Sequence, residues 1–114
     1  MDKMNSVQRR KHARLLLALP MRVQWVNDEG RIFNEICRSV NISTGGVYYK
    51  SREYLPIGTD TNVILDLPLN NNVSDFGILS TRGRVVRVEE IEMRDKGIAL
   101  RFLEELKFST SYEG

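Results

Sequence analysis

The sequence has one cysteine, one histidine and one tryptophan in 114 residues. A single thiol, Cys37, excludes an internal disulfide and any multi-cysteine metal centre. The lone His12 removes most imidazole-based metal sites. Long apolar runs are also missing. The stretch "LLLALPM" at 15–21 is seven residues long and ends against Arg22, whereas a membrane helix needs roughly 18 or more apolar residues. No small-x-small cleavage site follows it, so a secretory signal is not expected. Also absent are a histidine-paired nucleophile, a Walker loop and a dinucleotide fingerprint. The carboxylates are scattered, with no pair identifiable as a general acid and base. These absences argue against an enzyme, a metal site or a resident cofactor, and fit a reducing, cytoplasmic setting.

What is present is an ordinary globular composition, 41% apolar and 28% charged, of a length that suits one domain. The net charge of +2 hides an asymmetry. Residues 1–14 carry five basic side chains against Asp2 alone, a local charge of +4. The remaining hundred residues carry twelve basic and fourteen acidic ones. A basic arm on a mildly acidic body points to an anionic partner at the arm.

Along the chain the dominant signal is period-two alternation, the mark of half-buried strands. Met21, Val23 and Trp25 share one side of a first strand, and "NDEG" at 27–30 closes it with turn residues. A second strand is expected over about 31–40, with imperfect alternation: Ile32 and Ile36 fall on one side, Phe33 and Cys37 on the other. "GVYYK", "TNVILDLPL", the long segment 77–91 and "KGIALRF" continue the series. Val63, Leu65 and Leu67 are expected inward, as are Ile98, Leu100 and Phe102. Pro68 marks a strand end, and Gly83 is a candidate bulge. "LEELKF" from about Leu103 can form a short C-terminal helix. Six short strands with frequent turns predict an all-β sandwich or barrel, and closure into a barrel removes exposed edges.

Two stretches stand out chemically. "RRKHARLLL" at 9–17 contains Arg10 and Arg14 four residues apart. Arginine offers a planar fork of donors and a face that stacks on rings; the same residues also suit a merely solvated basic segment. "NISTGG" at 41–46 reads equally as a turn, in which the glycine pair supplies positive φ, or as a binding loop. In the second use Asn41 presents donor and acceptor, Ser43 a rotatable hydroxyl, and Gly46 a place where a ligand can approach the backbone.

Taken together and in this order, the stretches resemble the PilZ family of cyclic di-GMP receptors. The family pattern is R-x-x-x-R just before the first strand, met here by Arg10 and Arg14. It continues with [D/N]-x-S-x-x-G after the second strand, met by Asn41, Ser43 and Gly46. "GRVVRV" at 83–88 and "KGIALRF" at 96–102 are similar to the family's late strands, and the resemblance spans about 9–104. It implies a six-stranded antiparallel β-barrel with a short C-terminal helix and a flexible basic N-terminal arm. The corresponding divisions are a flexible 1–8, a barrel domain with its arm over 9–104, and a helix or tail over 105–114.

The resemblance further implies a bacterial receptor whose arm folds over the ligand on the barrel's outer surface, changes shape, and signals to an effector that the sequence does not name. Arginine suits guanine O6/N7 and phosphate, while Asn41 and Ser43 supply acceptor oxygens for guanine donors. Arg9, beside the motif, occupies a position implicated by the resemblance in whether one ligand or a stacked pair is held. The ligand-binding set is therefore Arg9, Arg10, Arg14, Asn41, Ser43 and Gly46, with no catalytic or metal residues and no membrane span. Two rivals are a nucleic-acid-binding barrel that uses the arm on phosphates, which the acidic body disfavours, and a PilZ-like adaptor without ligand, which the intact motif disfavours. Trp25 reads as core, Cys37 as a small buried hydrophobe, and His12 as a loop side chain. One of Tyr48 and Tyr49 must face outward, and alternation leaves open which.

Overall fold

Alternating apolar residues build the first strand, and Asn27 ends it. The Asn27 side-chain oxygen accepts the Glu29 and Arg31 amides (3.0 and 2.9 Å), and Gly30 N donates to Asn27 O (3.0 Å). The chain therefore reverses at the "NDEG" turn. The computed structural model describes residues 15–68 and 76–111. The expected basic arm, with Arg9, Arg10 and Arg14, and the boundary at residue 8 lie outside these residues.

Every regular element among the described residues is a strand: β1 (Pro20–Val26), β2 (Ile32–Ile42), β3 (Gly46–Ser51), β4 (Asp60–Pro68), β5 (Phe76–Glu90), β6 (Lys96–Phe102) and β7 (Lys107–Ser111). Six of them form a closed antiparallel ring in the order β4-β1-β2-β3-β6-β5, sealed by β4–β5 pairing. No helix among the described residues is long and apolar enough to cross a membrane.

The barrel interior collects the inward residues of each strand. Met21, Val23, Val63, Leu65, Ile98 and Leu100 are buried, and Leu67 and Phe102 pack against them, as alternation predicts. The imperfect strand resolves with Phe33 and Cys37 against the core and Ile32 and Ile36 exposed. Trp25 is core and stacks on Phe33, its cross-strand partner, at 5.3 Å between ring centroids. Tyr49 is the tyrosine that faces inward, and it is fully buried.

Among the described residues the expected C-terminal helix is not formed; Lys107–Ser111 is β7 instead. β5 is fifteen residues long, and β6 pairs with it only from Gly83 onward. Along that side the first half of β5 would be left unpaired, and β7 covers it from Phe76 to Ser80. "LEEL" is too short to repay helix nucleation, and the Ser-Thr-Ser that follows favours extended backbone over helix. Leu103 N donates to Arg82 O (2.8 Å) and Thr81 Oγ1 to Glu104 O (3.0 Å), which steers the chain back along β5. The bulge in β5 falls at Val86, between the pairs Val85–Leu100 and Arg87–Ala99, rather than at Gly83.

Candidate ligand-binding site

Strand β2 delivers Asn41, and a β-bulge decides where it points. Ser39 pairs with Tyr49, but Asn41 pairs with Tyr48, so Val40 is an extra residue. Simple alternation from the buried Ser39 would turn Asn41 inward. The bulge reverses the sense: Ile42 enters the core and Asn41 sits half-exposed on the outer wall. Among the described residues the Asn41 amide has no hydrogen-bond partner, so its donor and acceptor are both available there.

Ser43 and Gly46 close the β2–β3 turn. Ser43 N donates to Gly46 O (2.9 Å), and Gly45 N donates to Ser43 Oγ (3.1 Å). Phe102 N donates to Gly45 O (2.9 Å), which ties the turn to the end of β6. Neither Gly45 nor Gly46 uses a positive φ; among the described glycines only Gly30 and Gly58 do. Gly46 is required for a different reason. A Cβ there would overlap the Leu100 carbonyl oxygen, so the close approach of β3 to β6 excludes any side chain. The structure thus brings Asn41, Ser43 and Gly46 together on one outer corner.

The segment after the arm is bound to the same corner. Leu15 N donates to Ile42 O (2.8 Å) and Ile42 N to Leu15 O (2.9 Å). Further along, the buried Ser39 hydroxyl accepts Leu19 N (2.9 Å) and donates to Leu17 O. Ser39 N donates to Leu19 O (3.0 Å), and Arg38 Nη1 to Ala18 O (2.9 Å). Residues 15–19 therefore form a strap along β2, continuing the line of β1. Ser39 was missed in the sequence; a serine at an inward strand position was the available signal.

Cross-strand registers extend the outer wall in two rows. One row runs Asn41, Tyr48, Ala99, Arg87, and the other Gly46, Arg101, Arg84, Asp60. Both ends of the first row are turned outward by bulges, at Val40 and Val86. Tyr48 Oη donates to Glu89 Oε1 (2.8 Å); partial burial and this bond raise its pKa, and nearby Arg87 opposes the rise. Arg84 is held by Asp60 (2.7 and 3.3 Å), and that bond lowers the Asp60 pKa. Arg101, exposed and opposite Gly46, has no acidic partner among the described residues.

The PilZ domain family model matches residues 8–109. The chain belongs to the PilZ domain family. Among solved structures this PilZ domain is similar to the inhibitor of motility (MotI/DgrA) of Bacillus subtilis. The TM-score is 0.68 and the identity 22%, over 87% of this chain and 44% of that one. It is also similar to the PilZ domain of YcgR from Escherichia coli, solved with c-di-GMP, at TM-score 0.58 and 17% identity, over 84% of this chain and 79% of that one. At these identities the likeness is one of fold. The chain spans less than half of the Bacillus subtilis protein. No curated protein matches it.

Proposed function

We propose that this PilZ domain is a receptor for cyclic di-GMP, a binding module rather than a catalyst, and that ligand capture at the Asn41–Gly46 corner is passed to an effector through the strap and arm. The observation that carries the reading is the exchange of backbone hydrogen bonds between Leu15 and Ile42. Leu15 directly follows Arg14, and Ile42 lies between Asn41 and Ser43. The residue that follows the first half of the motif is thus bonded to a residue within the second half, some thirty residues on in sequence. The solved relative with c-di-GMP bound and the family match support the same ligand.

In this reading Arg10 and Arg14 supply bidentate forks to guanine O6/N7 or phosphate. Asn41 and Ser43 offer oxygens to guanine N–H donors, and Gly46 keeps the corner open at the barrel wall. Arg9 adds a third guanidinium that suits an intercalated pair of ligands, whose four phosphates need more positive charge than one molecule. The strap is built to transmit the event, because movement at Leu15 acts on β2 through Ile42 and Ser39.

Calorimetric titration with cyclic di-GMP, alongside GTP, cyclic AMP and single-stranded DNA, tests the reading. Saturable binding of cyclic di-GMP alone is expected. Losing a bidentate arginine–guanine contact costs about 1–3 kcal/mol, so Arg10→Ala or Arg14→Ala should weaken binding about tenfold to over a hundredfold. Equal affinity for wild type and the double arginine variant would remove the arm from the site. Preference for single-stranded DNA would favour the nucleic-acid reading.

A further inference from the structure

The outer wall beside Asn41 carries an ordered unit of three side chains that the fold does not need. Tyr48, from β3, leans across β6 above Gly97, where a Cβ would collide with the phenol. Its hydroxyl reaches Glu89 Oε1 on β5 at 2.8 Å. The other oxygen of that carboxylate lies 3.4 Å from Arg87 Nε. Arg87 Cζ in turn lies 5.7 Å from the Tyr48 ring centroid. One carboxylate therefore pins an aromatic ring and a guanidinium into a cation–π pair that bridges three strands. Exposed ion pairs contribute little to stability, and neither Tyr48 nor Arg87 enters the core. The bulge at Val86 is what turns Arg87 to this side.

We infer that Tyr48 and Arg87 form a stacking platform for one purine base of the ligand, a part of the site borne by the barrel wall rather than by the arm. The inference rests on the receptor reading above and adds the surface that takes a base face. The Arg87 side chain remains 54% exposed, so the guanidinium is free to receive a flat partner. Guanidinium planes and aromatic rings both take bases by stacking. The platform shares its cross-strand row with Asn41: Tyr48 is the direct neighbour of Asn41, and Arg87 is three strand spacings away, about 14 Å. Ala99, the residue between Tyr48 and Arg87 in that row, is small and leaves the wall low there. A base held on the platform and a second group held at the Asn41–Ser43 corner are thus served by one face.

Titration of cyclic di-GMP into wild type, Arg87→Ala, Arg87→Phe and Arg94→Ala tests this. Arg94 lies at the exposed β5–β6 connection and controls for the loss of one charge. Loss of a stacking partner should weaken binding about fivefold to a hundredfold in Arg87→Ala. Arg87→Phe, which restores a flat face without charge, should recover affinity, and Arg94→Ala should bind as wild type. The melting temperatures of the free proteins should agree, because these side chains lie on the outer surface. Wild-type affinity in Arg87→Ala overturns the platform and leaves the receptor standing. An Arg87→Phe protein as weak as Arg87→Ala also overturns it, since the role would then be charge pairing. A wild-type protein that does not bind overturns both readings.

Discussion

Leu15 and Ile42 exchange both backbone hydrogen bonds, at 2.8 and 2.9 Å. The pair joins an exposed residue, Leu15 at 56%, to a core residue, Ile42 at 7%. Its side chains therefore make an unequal contribution, and the backbone contact is what holds the strap at this point. A contact that relies on two hydrogen bonds is worth about 1–3 kcal/mol, enough to position a chain and weak enough to respond to a ligand.

Leu15→Pro removes the N–H that Ile42 O accepts and leaves the core intact. Stability of the free protein should fall by about 1 kcal/mol, read by denaturant unfolding. Affinity for cyclic di-GMP should fall by about five- to tenfold, because the arm is no longer anchored next to the corner. Unchanged affinity would show that the strap does not position the arm.

Gly46→Ala tests why the motif ends in glycine. The new Cβ would overlap the Leu100 carbonyl oxygen, a backbone atom that cannot swing aside. Destabilisation of about 1–3 kcal/mol is expected, a fall of several degrees or more in melting temperature for a chain of this size. The measurement is a thermal melt without ligand. A wild-type melting temperature would leave ligand approach as the sole reason for this glycine.

Arg9→Leu addresses stoichiometry. If Arg9 supports a stacked pair of ligands, wild type should titrate with two molecules of cyclic di-GMP per chain, and the variant with a ratio falling towards one while still binding. Calorimetry with independently measured active protein reads both numbers. A wild-type ratio of one would remove the stacked pair and leave the receptor reading in place.

Cys37 should be inert in the folded protein. Burial first, and the Glu35 carboxylate second, push its thiol up to about 12 from 9.0. At pH 8 only about one thiol in ten thousand would be thiolate, the reactive form, so iodoacetamide should label Cys37 slowly until the protein unfolds. The linkage has a definite sign. The folded pKa lies above the unfolded one, so this contribution to stability is complete below about pH 9 and is lost progressively towards pH 12. Wild type should therefore lose more stability than Cys37→Ala between pH 7 and pH 10.5, and parallel losses would contradict the buried-thiol assignment.

Much of the barrel was legible because alternation is a local property. Met21, Val23 and Trp25, or Ile98 and Leu100, declare the inner face of their strands within a few residues. Asn27 and Gly30 likewise declare a turn, and the spacing of Asn41, Ser43 and Gly46 is readable as a motif. The tertiary structure decided what depends on distant partners. The side on which Asn41 and Arg87 emerge follows from one extra residue each, Val40 and Val86, and a bulge exists only relative to the neighbouring strand. Tyr49 rather than Tyr48 enters the core because it pairs with Ser39 and Ile98, a choice that alternation within "GVYYK" leaves open. Residues 107–111 became a strand, against the helix that "LEELKF" suggested, because β6 leaves half of one edge of β5 unpaired. Gly46 is required by a carbonyl more than fifty residues away in sequence. Local pattern sets which residues point together; register and open edges, which are non-local, set where they point and what they meet.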